Sequence, residues 1–252
     1  MKRSAKIFIL AISLVILTTG IVSAEPEVSP PGKNFKLEDI KTPQGYVDSL
    51  QILFILTVLT LAPSILIMMT SFTRIVIVLS FIRNALGLQQ TPPNQIIIGL
   101  ALFLTFFIMA PIGTQINDNA IQPFLKEEIN QEVAFKRTME PIREFMFKQT
   151  RDKDLNLFLS MEKMEEVNKL EDIPSHVLIP AFIISELKTA FQIGFIIYIP
   201  FLVIDMVVSS TLMAMGMMML PPVIISLPFK ILLFILVDGW NLIAKSLVLG
   251  FK

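Results

Sequence analysis

The sequence predicts an all-α, membrane-associated protein made of helical hairpins with kinked helices and a small helical insert, and suited to oligomerise. Of its 252 residues 54% are hydrophobic, and the mean hydropathy is +0.70. These values lie far above a soluble globular composition and indicate an integral membrane protein. The charges are unevenly placed, because more than half of the charged residues fall within 113–175. Long apolar segments flank that stretch on both sides.

Residues 1–24 are predicted to be a cleaved signal peptide. Three basic residues among the first six precede an apolar run over 7–16, and Val22-Ser23-Ala24 offers a small-residue cleavage site. An uncleaved anchor helix is the alternative, but the short apolar run and the following proline-rich, irregular segment 25–45 favour cleavage. Export through the inner membrane of a bacterium would then leave the mature N-terminus outside.

Residues 46–112 are predicted to form a first apolar hairpin. The stretch 46–88 is almost continuously apolar and too long for one ordinary span, so with Pro63 inside it we expect a kinked or broken helix. A turn containing Pro92 and Pro93 follows, and 95–112 is a second apolar segment.

Residues 113–175 are predicted to be a small water-facing domain of amphipathic helices, over about 122–137 and 138–149 and a third capped by Asp152. Counting spans from an external N-terminus places this insert on the periplasmic side. Arginines near the first turn agree with that orientation, since cytoplasmic loops favour basic residues.

Residues 176–252 are predicted to form a second apolar hairpin. Pro180 and Pro200 predict two stacked or kinked pieces between 180 and 215, and the last long segment covers 223–249. The turn between them is the Met-rich loop 213–222.

The Met-rich loop has an unusual composition. Five of the seven residues from Met213 to Met219 are methionine, and Leu220-Pro221-Pro222 follows. Methionine is unbranched and packs adaptably, so it specifies a core less well than leucine or isoleucine. One interpretation is an apolar membrane turn. The other is a flexible constriction, in which the methionine side chains pack against one another and move apart to let molecules of different shape pass.

Several ionisable side chains lie within or beside the apolar segments: Arg74, Arg83, Glu186, Lys188, Asp205, Lys230, Asp238 and Lys245. Charges at membrane depth are costly unless they are paired or face water or protein, so we expect these helices to pack against many protein neighbours. Asp238, Asn241 and Lys245 share one helical face, which should meet another subunit or a polar channel. A proton relay is the alternative to pairing within an assembly, but the acidic residues lie on separate segments beside basic ones.

Other classes of function find little support. The formal net charge is zero and no basic stripe is present, which argues against binding nucleic acid. The absence of cysteine excludes disulfides and thiolate metal sites, and the single histidine, His176, excludes a histidine cluster. No phosphate-binding, dinucleotide or nucleophile motif occurs. We therefore predict no enzymatic activity, no metal and no cofactor.

Several long motifs, in order, resemble the FliP/SctR family of type III secretion export-gate proteins, and the flagellar FliP members most of all. They lie at 71–75, 83–87, 90–94, 180–195, 200–205, 209–222 and 236–240. One departure is Ala214, where the family often has serine. The likeness covers about 46–250 and is weakest in the insert.

This resemblance implies a subunit of the flagellar export gate, in the inner membrane at the basal body. In that family a homo-oligomer, a pentamer, assembles with FliQ, FliR and other export-apparatus membrane proteins into a channel for unfolded flagellar proteins. By motif, Met217, Met218 and Met219 match a gasket around the pore, and Glu186 and Lys230 match contacts between subunits. The insert matches a periplasmic domain that helps oligomerisation.

Two other functions remain as alternatives. A small-solute or ion transporter would place a compact binding site at the bilayer midplane and usually shows an internal repeat, which this sequence lacks. A pure assembly scaffold would contribute no residue to a pore.

Overall fold

A computed structural model shows a helical protein and confirms the all-α prediction. It describes residues 43–88, 90–162, 172–217 and 219–251, and no strand occurs within them. The predicted signal peptide 1–24 and nearly all of the segment 25–45 lie outside the described residues. Internal contacts divide the chain into two compact units, residues 1–58 and 59–252.

The structure contains the following helices in chain order. They are α1 Pro43–Met68, α2 Phe72–Ala85, α3 Asn94–Ile116, α4 Gln122–Leu125, α5 Gln131–Gln149, α6 Asp152–Met161, α7 Ser175–Ala214, α8 Pro222–Leu236 and α9 Gly239–Leu249. A π-helical turn, Asn117–Ile121, joins α3 to α4.

Among the described residues, two helical stretches are long and apolar enough to cross a membrane: residues 94–125 and α7. Helices α8 and α9 are bent by 61° to each other and make a third span if they are counted as one. The chain covers little of this apolar surface itself. Phe103 on α3 is 76% exposed and Phe195 on α7 is 67% exposed. The protein is therefore a membrane protein whose helices need lipid or other protein around them.

Two hydrophobic cores lie along α7. The first packs α2 against α3, α7, α8 and α9, with Ile75, Val78 and Ile82 fully buried. The second packs α5 and α6 of the insert against the start of α7, around Met146 and Phe182. Because α7 enters both cores, the insert and the apolar helices share one continuous element.

The predicted helix boundaries in the insert were wrong. The helix expected over 122–137 ends at Leu125, and one helix, α5, covers 131–149 where two were expected. The reason is a cap: the Asn130 side chain accepts a hydrogen bond of 2.9 Å from the Val133 amide. Asp152 does not cap α6, because Arg151 holds the N-cap position and Asp152 lies in the first turn.

The apolar helices continue through prolines at which a kink or a break was predicted. The stretch 46–88 consists of two helices, but α1 runs through Pro63 and ends only at Met68. Similarly α7 is one continuous helix of 40 residues with Pro180 and Pro200 inside it, so the alternative of two separate stacked helices is wrong and the kink stays a prediction. Each proline removes one backbone hydrogen bond, and the hydrogen bonds of the neighbouring turns keep the helix continuous.

Candidate functional site

A buried ion pair joins α2 to α7 between the two cores. Arg74 lies in the first turn of α2 and is 4% exposed, and Glu186 of α7 is fully buried. The Arg74 Nε donates to Glu186 Oε2 at 2.9 Å, and Nη2 donates to the other carboxylate oxygen. Both carboxylate oxygens thus bind one guanidinium in a bidentate geometry, the arrangement that best offsets the desolvation of two buried charges.

The remaining donors of Arg74 bind two further parts of the chain. Nη2 also donates to Gln149 Oε1 at the end of α5 (3.0 Å), and Nη1 donates to the carbonyl of Gly250 (3.1 Å). The guanidinium carbon lies 3.9 Å from the centre of the Phe251 ring. Phe251 packs against both cores and stacks on Phe145 of α5. Arg74 therefore fastens the insert and the end of α9 to the same point of α7.

A second buried charge connects α2, α7 and α8. Lys230 of α8 is 2% exposed and donates to Asp205 Oδ2 of α7 at 2.6 Å. It also donates to the carbonyl of Ala85 at 3.2 Å, one of the unpaired carbonyls at the C-terminal end of α2. The Ser226 hydroxyl donates to Asp205 Oδ1. The Lys230 ammonium thus neutralises the Asp205 carboxylate and also offsets the partial negative charge at the C-terminal end of α2.

Glu186 and Lys230 were predicted at contacts between subunits, and that stays a prediction, because the structure contains one chain. Each is buried inside the chain and bound to a charge of the same chain, Arg74 and Asp205 respectively. In this structure both charges connect helices within one subunit.

Arg83 holds the turn between the first two apolar helices of the compact unit 59–252. Its Nη1 donates to Asn94 Oδ1 at the start of α3 and to the carbonyl of Pro92 at 3.4 Å. Its Nε is buried and has no partner among the described residues. Arg83 therefore fixes the start of α3 relative to α2.

The other ionisable candidates lie on the surface. Lys188, Asp238, Asn241 and Lys245 are exposed, and no hydrogen bond or ion pair to their side chains occurs within the described residues. His176 is exposed as well, 3.3 Å from the carboxylate of the equally exposed Glu162. The structure thus separates the predicted charges into two groups, one paired inside and one presented outside.

A polar contact between α6 and α7 was missed at the sequence level. Buried Asp154 accepts a hydrogen bond of 2.8 Å from the Ser185 hydroxyl, which accepts one of 3.1 Å from the Arg151 amide. The Arg151 guanidinium also donates to Thr189 (3.1 Å) and to Gln192. The spacing of Ser185, Thr189 and Gln192 by four and three residues was the available signal, since it places them on one face of α7.

The Met-rich loop follows a well-defined helix end. The Gly216 amide donates to the carbonyl of Met213 and the Met217 amide to that of Leu212, both at 3.0 Å. Gly216 has φ +76°, the left-handed conformation that this type of helix end requires and that glycine adopts without a Cβ penalty. The chain leaves α7 sharply there, and Pro221 and Pro222 start α8.

The described methionines of the loop are on the surface. Met213, Met215 and Met217 are exposed, and Met219 is 98% exposed, while Met218 lies outside the described residues. Leu220 and Val223 continue the exposed apolar surface, and residues 213–222 contain no charged side chain. The loop is a flexible apolar surface that the rest of the described chain leaves exposed.

Comparison with known proteins agrees with these motifs. The model of the FliP family matches residues 55–247, which include the ion pairs Arg74–Glu186 and Lys230–Asp205 and the Met-rich loop. The chain belongs to the FliP family.

Three flagellar FliP proteins are similar to the chain over 81% to 99% of their own length. The flagellar biosynthetic protein FliP of Bacillus subtilis (strain 168) is 61% identical over 209 residues, 83% of this chain and 95% of that protein. The FliP of Aquifex aeolicus (strain VF5) is 50% identical over 245 residues, 96% of this chain and 99% of that protein. The FliP of Pectobacterium carotovorum subsp. carotovorum is 56% identical over 208 residues, 82% and 81% respectively.

Membership in the FliP family assigns the chain to flagellar biosynthesis, as a membrane component of the export apparatus. The FliP family is not a family of enzymes. The buried charges of this chain are accordingly understood as structural groups, and its exposed surfaces are where function is to be sought.

Proposed function

We propose that this chain is a subunit of the export gate of the flagellar type III secretion apparatus. Copies of it assemble with one another and with FliQ, FliR and other export-apparatus membrane proteins in the inner membrane at the basal body. The channel they enclose passes unfolded flagellar proteins. Membership in the FliP family supports this proposal, and so does the extent of apolar helix surface that one chain leaves uncovered.

The observation that carries the proposal is the Met-rich loop at the end of α7. A closed channel for varied polypeptides needs a constriction that is apolar and deformable, and Met217, Met218 and Met219 supply such side chains. Met217 and Met219 are exposed, and the helix end at Gly216 fixes where the loop leaves α7. Several copies around one axis would close these methionines into a gasket.

The insert fits a position on the periplasmic side. Residues 113–175 carry most of the charged side chains of the chain and pack through their own core onto α7. A water-facing domain joined to apolar helices by a shared helix can hold neighbouring subunits together outside the membrane.

Purification of the chain from membranes tests the proposal. A tagged chain extracted in mild detergent is expected to retain further copies of itself and to bring FliQ and FliR with it, in one particle of defined mass. A small-solute transporter would instead be isolated as a monomer or dimer without those partners. Isolation of only that small species from flagellated cells would contradict the export-gate proposal.

A further inference from the structure

Two exposed charges of opposite sign lie in apolar surfaces of different helices. Lys188 is on the outer face of α7, between Ile184 one turn before it and Phe191 one turn after, and both of these are exposed. Asp238 lies in the bend between α8 and α9, next to the exposed Leu236 and one turn before the exposed Leu242. Neither charged side chain has a hydrogen bond or ion pair within the described part of the chain.

The carboxylate of Asp238 is free to accept a partner. The residue has φ +49°, and although it precedes α9 its side chain makes no capping hydrogen bond. Its backbone carbonyl receives the Leu242 amide at 3.1 Å, so the bend does not depend on the carboxylate. Lys245, on the same face of α9, is two turns away, about 10.5 Å along the helix, and cannot reach it.

Both charges need a counter-charge if their surroundings are covered. An unpaired charge is costly in lipid and in an apolar protein interface alike. The buried charges of α7 and α8 have such a counter-charge, because Glu186 and Lys230 each form an ion pair. A surface that combines apolar residues with one lysine is complementary to a surface that combines apolar residues with one aspartate.

A second copy of the chain supplies that complementary surface. Copies inserted in one membrane share the same orientation, so a symmetric contact of the α7 face with itself would bring Lys188 near Lys188. A contact between different faces avoids this repulsion, and repeating such a head-to-tail contact generates a ring when the rotation closes. We propose that Lys188 of one copy forms an ion pair with Asp238 of the next copy. This inference rests on the self-assembly in the proposed function and names the residues that carry it.

Crosslinking can test the pair in a natural background without cysteine. With Lys188→Cys and Asp238→Cys in the same chain, a short bis-maleimide applied to membranes should produce a ladder of covalent multimers. Either single variant should give no ladder beyond a dimer, and neither should the control pair Lys188→Cys with Lys245→Cys. An oligomer that co-purifies intact yet gives no ladder with the first pair overturns the Lys188–Asp238 contact but leaves the export-gate proposal standing. A chain that is monomeric in the membrane overturns both.

Charge reversal provides an independent measurement. Lys188→Glu and Asp238→Lys should each lower the fraction of oligomer at least about tenfold, and the two combined in one chain should restore it. Lys188 is exposed, so Lys188→Glu should leave the thermal stability of the solubilised single chain unchanged. Asp238→Lys should lower that stability slightly, and equally in the single and double variants, because it places a positive charge at the start of α9. An equal loss of oligomer in the double variant and the single variants would contradict the pairing.

Discussion

Arg74 is the residue on which most parts of this molecule converge. It binds Glu186 of α7, Gln149 of the insert and the carbonyl of Gly250, and it lies over the ring of Phe251. All five hydrogen-bond donors of an arginine point in fixed directions, so one side chain can join several elements at set angles. The Arg74–Glu186 ion pair therefore fixes the relative position of the two cores that share α7.

Removing one member of this pair should destabilise the single chain. Glu186→Ala leaves the Arg74 guanidinium buried without its carboxylate, a change that typically costs ~3–5 kcal/mol. Chemical unfolding of the solubilised chain measures this. Lys188→Ala is the matched control, because Lys188 is two residues further along α7 and exposed, and its loss should change stability by no more than about 0.5 kcal/mol.

A double variant separates the loss of the pair from the loss of packing. Replacing both charges with apolar residues, Arg74→Met with Glu186→Leu, leaves no unpaired charge and should recover part of the stability lost in Glu186→Ala. Equal unfolding curves for Glu186→Ala and Lys188→Ala would show that the buried pair does not support the fold.

At the scale of elements, the contact between α2 and α7 depends on a glycine. A Cβ added to Gly194 would lie 2.6 Å from ring atoms of Phe81, so the absence of a side chain lets the two helices approach. Phe81 in turn meets Phe191 edge to face with 5.3 Å between ring centres. This contact holds α2 on the part of α7 that follows the Glu186 ion pair.

Gly194→Ala should therefore lower the free energy of unfolding, by about 1–3 kcal/mol as for other overpacked cores. Gly113→Ala on α3 is the control, since nothing lies within 4 Å of its added Cβ and alanine favours the helix by up to about 1 kcal/mol. Adding Phe81→Leu should relieve the clash in Gly194→Ala. If Gly194→Ala and Gly113→Ala had the same effect in the solubilised chain, close packing at Gly194 would be refuted.

The elements differ in how far the sequence determines them. Hydropathy and charge distribution were sufficient to predict all-α structure and apolar helices, because each depends on residues close together in the chain. The ion pairs were not predictable. Arg74 and Glu186 are 112 positions apart, and the sequence shows which residues are charged but not which of them come together in the fold. Glu186 and Lys188 show the same limit: they are two residues apart on α7, yet one is buried and the other exposed.

For the whole molecule, the main feature is apolar surface that one chain cannot cover. The exposed faces of α3, α7 and α8 include Phe103, Phe195 and Phe229. Exposing such surface to water costs roughly 25 cal/mol per Å², so lipid or other protein must cover it. In the proposed assembly, the exposed charges of Lys188 and Asp238 determine which surfaces of neighbouring copies contact each other.

The orientation of the chain can be measured with single cysteines, as the natural sequence has none. Lys153→Cys, on the exposed face of the insert, should react with a membrane-impermeant maleimide in right-side-out vesicles and not in inside-out vesicles. Gln90→Cys, in the exposed turn before α3, should show the opposite pattern. Labelling of both from the same side would contradict a periplasmic insert.

The Met-rich loop offers the most direct measurement of the export-gate account. With Met217, Met218 and Met219 all replaced by alanine, the complex should assemble at its normal mass but leak ions or small molecules across the membrane. Met206→Ala is the control, because Met206 is also exposed on α7 but lies outside the loop, and its membrane should stay tight. A triple variant that assembles, remains tight and exports flagellar proteins normally would contradict the gasket and with it the central claim.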